Sequence, residues 1–199
     1  MKKTLFLIAS VLLFATAPAN AQGWKDALKK AATTAADKAT DGKLTQYALV
    51  GEWHYSGPGI KFEGGDVASE LGGAAIETSL SGQLEKAYLL AGIKPGACTF
   101  SFDKENAFTA AMGTHTLSGT YEFDASAHLL TLHFAKGKFN LGSMPGHVYI
   151  SGEQLQMVFP VTKVVDMVTA LSSKVSSLES AAALLKKYKN VYIGFEFGK

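Results

Sequence analysis

Between Ala97 and Pro160 the chain alternates apolar and polar residues in run after run, with turn residues at intervals of roughly eight to twelve positions. Successive side chains on a strand point to opposite faces, so each run encodes a strand with one buried and one wet face. Cys98, Phe100 and Phe102 alternate with Thr99, Ser101 and Asp103, and Lys104-Glu105-Asn106 turns the chain. Phe108, Ala110 and Met112 share the next face, up to Gly113. His115, Leu117, Gly119, Tyr121 and Phe123 then oppose Thr114, Thr116, Ser118, Thr120 and Glu122, the cleanest alternation in the sequence. Asp124-Ala125-Ser126 turns it, Leu130, Leu132 and Phe134 follow, and Lys136-Gly137-Lys138 turns again. Phe139–Leu141 reads as a short extended piece and Val148 and Ile150 as part of another strand. Leu155, Met157 and Phe159 close the run after Ser151-Gly152-Glu153. Connections this short make neighbours antiparallel, so the run is a meander.

The flanking segments supply two more strands. Leu49, Gly51, Trp53 and Tyr55 share one face of a first strand, which Ser56-Gly57-Pro58-Gly59 is expected to end. Val191, Ile193, Phe195 and Phe197 alternate with Tyr192, Gly194 and Glu196 in a last one. The free partner for that last strand is the first. Pairing the segment around Ile193 with the one around Trp53 closes the sheet and removes both exposed edges. Gly51, Trp53 and Ile193 are therefore the expected barrel-closing residues. The predicted fold is mainly β with helices: an antiparallel up-and-down meander closed into a barrel of roughly eight strands.

Helical periodicity occupies the rest. Residues 66–92 read as a helical insertion in two pieces. Val67, Leu71, Ala74 and Ala75 suit a piece capped by Asp66, and Leu84, Ala87, Tyr88, Leu90 and Ala91 a second, stopped by Gly92. Residues 162–189 read as a packing helix whose Val164, Val168, Leu171, Val175, Leu178, Ala182 and Leu185 make one apolar stripe. Ser176-Ser177-Leu178-Glu179 has the form of a capping box, so that helix is expected in one or two pieces. Residues 22–43 form an N-terminal helical segment with Trp24, Leu28, Ala31, Ala32 and Ala35 on one face. So much alanine buries little area, which predicts a loosely docked segment. The barrel domain is expected over residues 44–199.

Residues 1–21 read as a signal peptide. Lys2 and Lys3 form a charged start, Leu5–Ala17 an apolar stretch too short to span a bilayer, and Ala19-Asn20-Ala21 a small-x-small cleavage site. Export by a cleaved leader implies a periplasmic or extracellular protein, with no transmembrane segment in the mature chain. What remains is one domain, long enough to bury roughly two-thirds of the surface it exposes when unfolded. The leader's two lysines account for the whole net charge of +2. A neutral mature chain without a basic run argues against nucleic-acid binding. There is no Arg anywhere in the chain, which removes the side chain that forks onto carboxylates and phosphates.

No stretch spells out a reaction. The five histidines, His54, His115, His128, His133 and His147, include no His-x-His pair, so no metal site and no cofactor is predicted. No Gly-x-Ser-x-Gly elbow occurs, and no catalytic residue is assigned. Cys98, the only cysteine, lies between Ala97 and Thr99 without a neighbouring cation and reads as buried core. Glu52 and Glu122 fall on the polar sides of their strands and are expected in solvent. A barrel of about eight strands either fills its interior with side chains or leaves room for one small ligand. The residues expected to line it are Phe102, Met112, His115, Leu117, Tyr121, Leu132 and Phe159, with His115 and Tyr121 as its polar points.

Gly51-Glu52-Trp53, on a first strand preceded by a helical segment, resembles the Gly-x-Trp signature of the lipocalins and the wider calycin barrels. The late helix followed by a strand returning to the first resembles them too, and the helical insertion is similar to the lid of intracellular fatty-acid-binding proteins. The layout as a whole resembles secreted lipocalin-like proteins of Gram-negative bacteria that form a domain-of-unknown-function family. The lipocalin Thr-Asp-Tyr motif is missing. The late Arg that packs over the tryptophan in lipocalins has no counterpart; Lys189 or Lys199 is the expected substitute. The resemblance implies carriage of a small apolar, lipid-like molecule without catalysis, with residues 66–92 as a lid. The competing expectation is a structural or interaction module of the cell envelope with a filled core and no ligand.

Overall fold

The computed structural model describes residues 21–62, 74–136, 139–171 and 191–199. The signal-peptide assignment, the first piece of the helical insertion, Lys189 and the later part of the predicted packing helix, capping box included, fall outside these residues. The described chain begins with α1 (Ala21–Ala39) and α2 (Lys43–Leu49). Eight strands follow: β1 (Gly51–Phe62), β2 (Cys98–Phe102), β3 (Ala107–Met112), β4 (His115–Asp124), β5 (Leu129–Phe134), β6 (Ser143–Ser151), β7 (Gln154–Pro160) and β8 (Val191–Gly198). Between β1 and β2 lies α3 (Ala74–Leu90), and β7 runs directly into α4 (Val161–Leu171).

Each strand pairs antiparallel with its neighbours in sequence, and β8 returns to β1, giving the closed eight-stranded barrel expected. The alternation in the sequence is what the burial follows. Phe100 and Phe102 on β2, Leu117 and Tyr121 on β4, and Ile193, Phe195 and Phe197 on β8 are all buried. Each such side chain removed from water stabilises the fold by about 1.5–3 kcal/mol.

The seam differs from expectation in register and length. Ile193 pairs with Ile60, whereas Gly51 and Trp53 pair across the other edge of β1 with Phe102 and Phe100. Closure is made by His54–Phe62 against Val191–Gly198, so of the three predicted closing residues only Ile193 lies on the seam. This is possible because β1 does not stop at Ser56-Gly57-Pro58-Gly59. A register shift between Tyr55 and Gly57 marks a bulge that absorbs the extra residue and lets pairing resume at Gly57 and run on through Pro58 and Gly59. At Gly59 the two backbones approach so closely that a Cβ would lie 3.2 Å from the Phe195 main chain. The glycines here admit a close seam strand instead of making a turn.

Three further expectations are corrected. Leu49 ends α2 and does not begin the strand. The second piece of the insertion is seen as α3, which buries Leu80, Leu84, Ala87 and Tyr88, but Leu90, expected on its apolar face, is exposed. Phe139–Leu141 belongs to the β5–β6 loop. The stripe on the late helix is seen in α4, where Val161, Val164, Met167, Val168 and Leu171 are buried.

An up-and-down meander sorts its connections between two rims. The upper rim carries α3, the β3–β4 turn, the β5–β6 loop and α4. The lower carries α1, α2 and the tight β2–β3, β4–β5 and β6–β7 turns. On that rim Asp103 accepts the Glu105 and Ala107 N–H groups, and Asp124 accepts those of Ser126 and Ala127, locking two turns.

Candidate functional site

The middle of the barrel is packed with rings. Phe100 lies against Phe102, Phe108 and Phe197 with centroids 5.5–6.3 Å apart, and Phe102 meets Tyr121 edge-on at 5.1 Å. Tyr55 sits edge-on to both Phe195 and Phe197. From above, α3 inserts Tyr88, which tilts onto Phe195 at 5.1 Å and donates its hydroxyl to the Gly194 carbonyl at 3.1 Å. Burial first, then the neighbouring Tyr55, pushes the Tyr88 phenol well above its ordinary range, so it stays a donor.

The predicted lining set is therefore divided. Phe102, Met112, Leu132 and Phe159 are each at most 2% exposed and belong to the packed core. His115 sits half-buried at the upper rim, its Nε2 3.0 Å from the Leu171 carbonyl of α4 and its ring edge-on to Phe139. Leu117 lines a small upper notch of about 150 Å³ with Phe134 and Phe139. Only Tyr121 reaches the large opening at the other rim.

That opening is a cleft of about 680 Å³ between α2 and the β2–β3 turn. Gln46, Tyr47, Leu49 and Val50 form one wall, Lys104 and Asn106 the other, and Tyr121 and Phe123 of β4 the base. The alternation that turns Tyr121 and Phe123 inward brings them to the mouth because β4 runs down to the lower rim. The Tyr121 hydroxyl donates to the Asp103 carbonyl at 2.7 Å, which ties its ring to the β2–β3 turn. Burial raises its pKa, and nearby Asp103 and Glu105 add to the effect. Tyr47, by contrast, is 88% exposed on the rim. The cleft thus joins an aromatic, apolar base to a rim carrying one ammonium and two amides, an arrangement suited to an apolar body with a polar end.

Sequence reasoning did not find the α2 wall. A seven-residue helix between two glycines, Gly42 and Gly51, carries too few positions for a periodic signal. What builds it is polar. The buried Asp37 carboxylate accepts the Thr45 N–H at 2.8 Å and the Thr45 hydroxyl at 2.6 Å, and His128 Nε2 approaches the same carboxylate at 2.8 Å. Gly42 makes the elbow with φ 76°, and a Cβ there would collide with the Ala125 carbonyl at 1.9 Å. At the other end the Trp53 indole donates to the Leu49 carbonyl at 2.9 Å.

The groups considered for chemistry are placed as follows. Cys98 is fully buried, and burial pushes its thiol up to about 12, far from a nucleophile's range. Glu52 and Glu122 are exposed. Among the described residues, no three His, Cys, Asp or Glu side chains converge as a metal site would require.

A family model described as a lipocalin-like domain (DUF4923) matches residues 24–199. Among solved structures, the crystal structure of a DUF4847 family protein from Bacteroides vulgatus is similar at 13% identity and a TM-score of 0.37. The match covers 78% of this chain and 96% of that one. No curated protein matches the sequence.

Proposed function

This chain belongs to the lipocalin-like domain family DUF4923, and from that premise we propose that it is an exported, non-catalytic protein that binds a small apolar, lipid-like molecule. The ligand sits at the lower mouth, on Tyr121 and Phe123, and not in the middle of the barrel. The observation carrying this reading is the 680 Å³ cleft, whose base is aromatic and whose α2 wall is partly apolar. Export rests on the leader-like residues 1–21. Among the described residues no helix is long and apolar enough to cross a membrane.

Native mass spectrometry of gently purified protein tests the reading, together with titration by the neutral probe N-phenyl-1-naphthylamine. A co-purified lipid-like mass, or saturable probe binding, is expected. Repeated absence of both overturns it. The ring-to-ring packing of Phe100, Phe102, Phe108 and Phe197 favours a second reading, a cell-envelope interaction module with a solid core. Loss of both signals would leave that one standing.

A further inference from the structure

α1 is attached to the barrel in an unusual way for a 19-residue helix. From Lys25 to Ala39 its side chains are exposed, apart from half-buried Thr33 and buried Asp37. Apolar burial therefore contributes little to the docking of this stretch. Its contacts are polar and lie along one line: Lys29 pairs with Glu153 on the β6–β7 turn, Lys30 packs over Gly152, and Asp37 meets His128 beyond the β4–β5 turn. The same Asp37 carboxylate holds the first turn of α2 through Thr45. The last turn of α2 is fixed differently, by the buried Leu49 and its bond from Trp53. One end of the cleft wall is thus anchored in the core, and the other is held by the Asp37 carboxylate beside half-buried Leu44.

We infer that α1 and α2 form a hinged cover for the lower cleft, with Leu49–Val50 as the hinge and Asp37 as the latch. Releasing Asp37 from His128 and Thr45 frees the Gly42 elbow and swings Gln46 and Tyr47 away from Lys104 and Asn106. Apolar anchorage at Leu49 survives this, because none of it depends on the carboxylate. The role assigned to ligand exchange rests on the proposed binding site; the hinge itself does not.

Two measurements on the whole protein decide it. Hydrogen exchange should show Thr45 and neighbouring α2 amides losing protection by about tenfold or more in Asp37→Asn and in His128→Gln, while the β1 and β8 amides keep theirs. In the double variant Lys30→Cys/Gly152→Cys, oxidation clamps α1 to the β6–β7 turn, and reduction frees it in the same molecule. N-phenyl-1-naphthylamine should dissociate several-fold more slowly from the oxidised form. Equal α2 protection in wild type and both single variants overturns the latch, and equal probe kinetics in oxidised and reduced protein overturn the gating role. If wild type fails to bind the probe, the carrier reading fails and amide exchange alone judges the hinge.

Discussion

The ammonium nitrogen of Lys199 lies 4.6 Å above the ring of Trp53. This is a packing that the sequence offered Lys199, whose side chain also reaches within 4 Å of where a Cβ on Gly51 would stand. A cation over the face of an indole gains from the ring's quadrupole, and its methylene stem covers the ring's apolar surface. The contact ties the chain's last residue to the start of β1.

Replacing Lys199 by Ala should lower stability by about 0.5–1 kcal/mol, read as a fall in the urea midpoint at unchanged slope. Lys199→Arg should hold or slightly raise it, since a guanidinium also stacks on the ring. Trp53→Ala, which removes the ring and orphans the Leu49 carbonyl, should cost about 3–5 kcal/mol.

Tyr47→Ala separates binding from folding. The side chain is 88% exposed, so the urea midpoint should stay within about 0.5 kcal/mol of wild type. The affinity for N-phenyl-1-naphthylamine should fall several-fold, because one wall of the cleft is lost. Phe102→Ala should do the converse through the core, costing about 3–5 kcal/mol. Unchanged probe affinity in Tyr47→Ala would place the ligand elsewhere.

Asp37 gives the fold an acid limit. Burial pulls its carboxyl upward, but the bonds from Thr45 and His128 outweigh this and hold it below the ordinary aspartate value. With the folded pKa below the unfolded one, its contribution is complete above about pH 4 and is lost as the pH falls through the lowered value. Lys38, Asp41 and Lys61 are the other charged groups lining the groove beside the pair. Asp37→Asn should flatten the acid arm of a stability–pH curve relative to wild type.

Cys98 should resist iodoacetamide in the native protein at about pH 8 and react fully once the chain is unfolded, because burial both shields the thiol and raises its pKa to about 12. Mass spectrometry of the labelled protein reads this directly. Rapid native labelling would mean that the β1–β2–β3 wall opens locally.

Strands whose one face is buried were legible in advance, since the period of two survives any tertiary detail. His115–Asp124 and Val191–Gly198 show it, and closure followed from the need to pair β8 with β1. Register was not legible. Ser56-Gly57-Pro58-Gly59 has the composition of a turn and of a bulge alike, and only the close approach of Phe195 decides between them. The inward direction of Tyr121 was readable; its arrival at an open mouth, while Phe102 and Leu132 end in a solid centre, depends on which rings fill the interior. Nothing in the sequence singles out Asp37 on its alanine-rich helix, because its partners Thr45 and His128 lie eight and 91 positions away.

The placing of the α3 and β5–β6 connections at the rim opposite the Tyr121 cleft has an evolutionary corollary. Between the two ends stands a rigid plug of stacked phenylalanines, which transmits little of what happens at either. Residues 135–142 and the α3 connection can lengthen, shorten or change composition without disturbing the Tyr121 platform. Relatives would then be free to diversify one pole of the molecule while selection on the opposite pole stays in force.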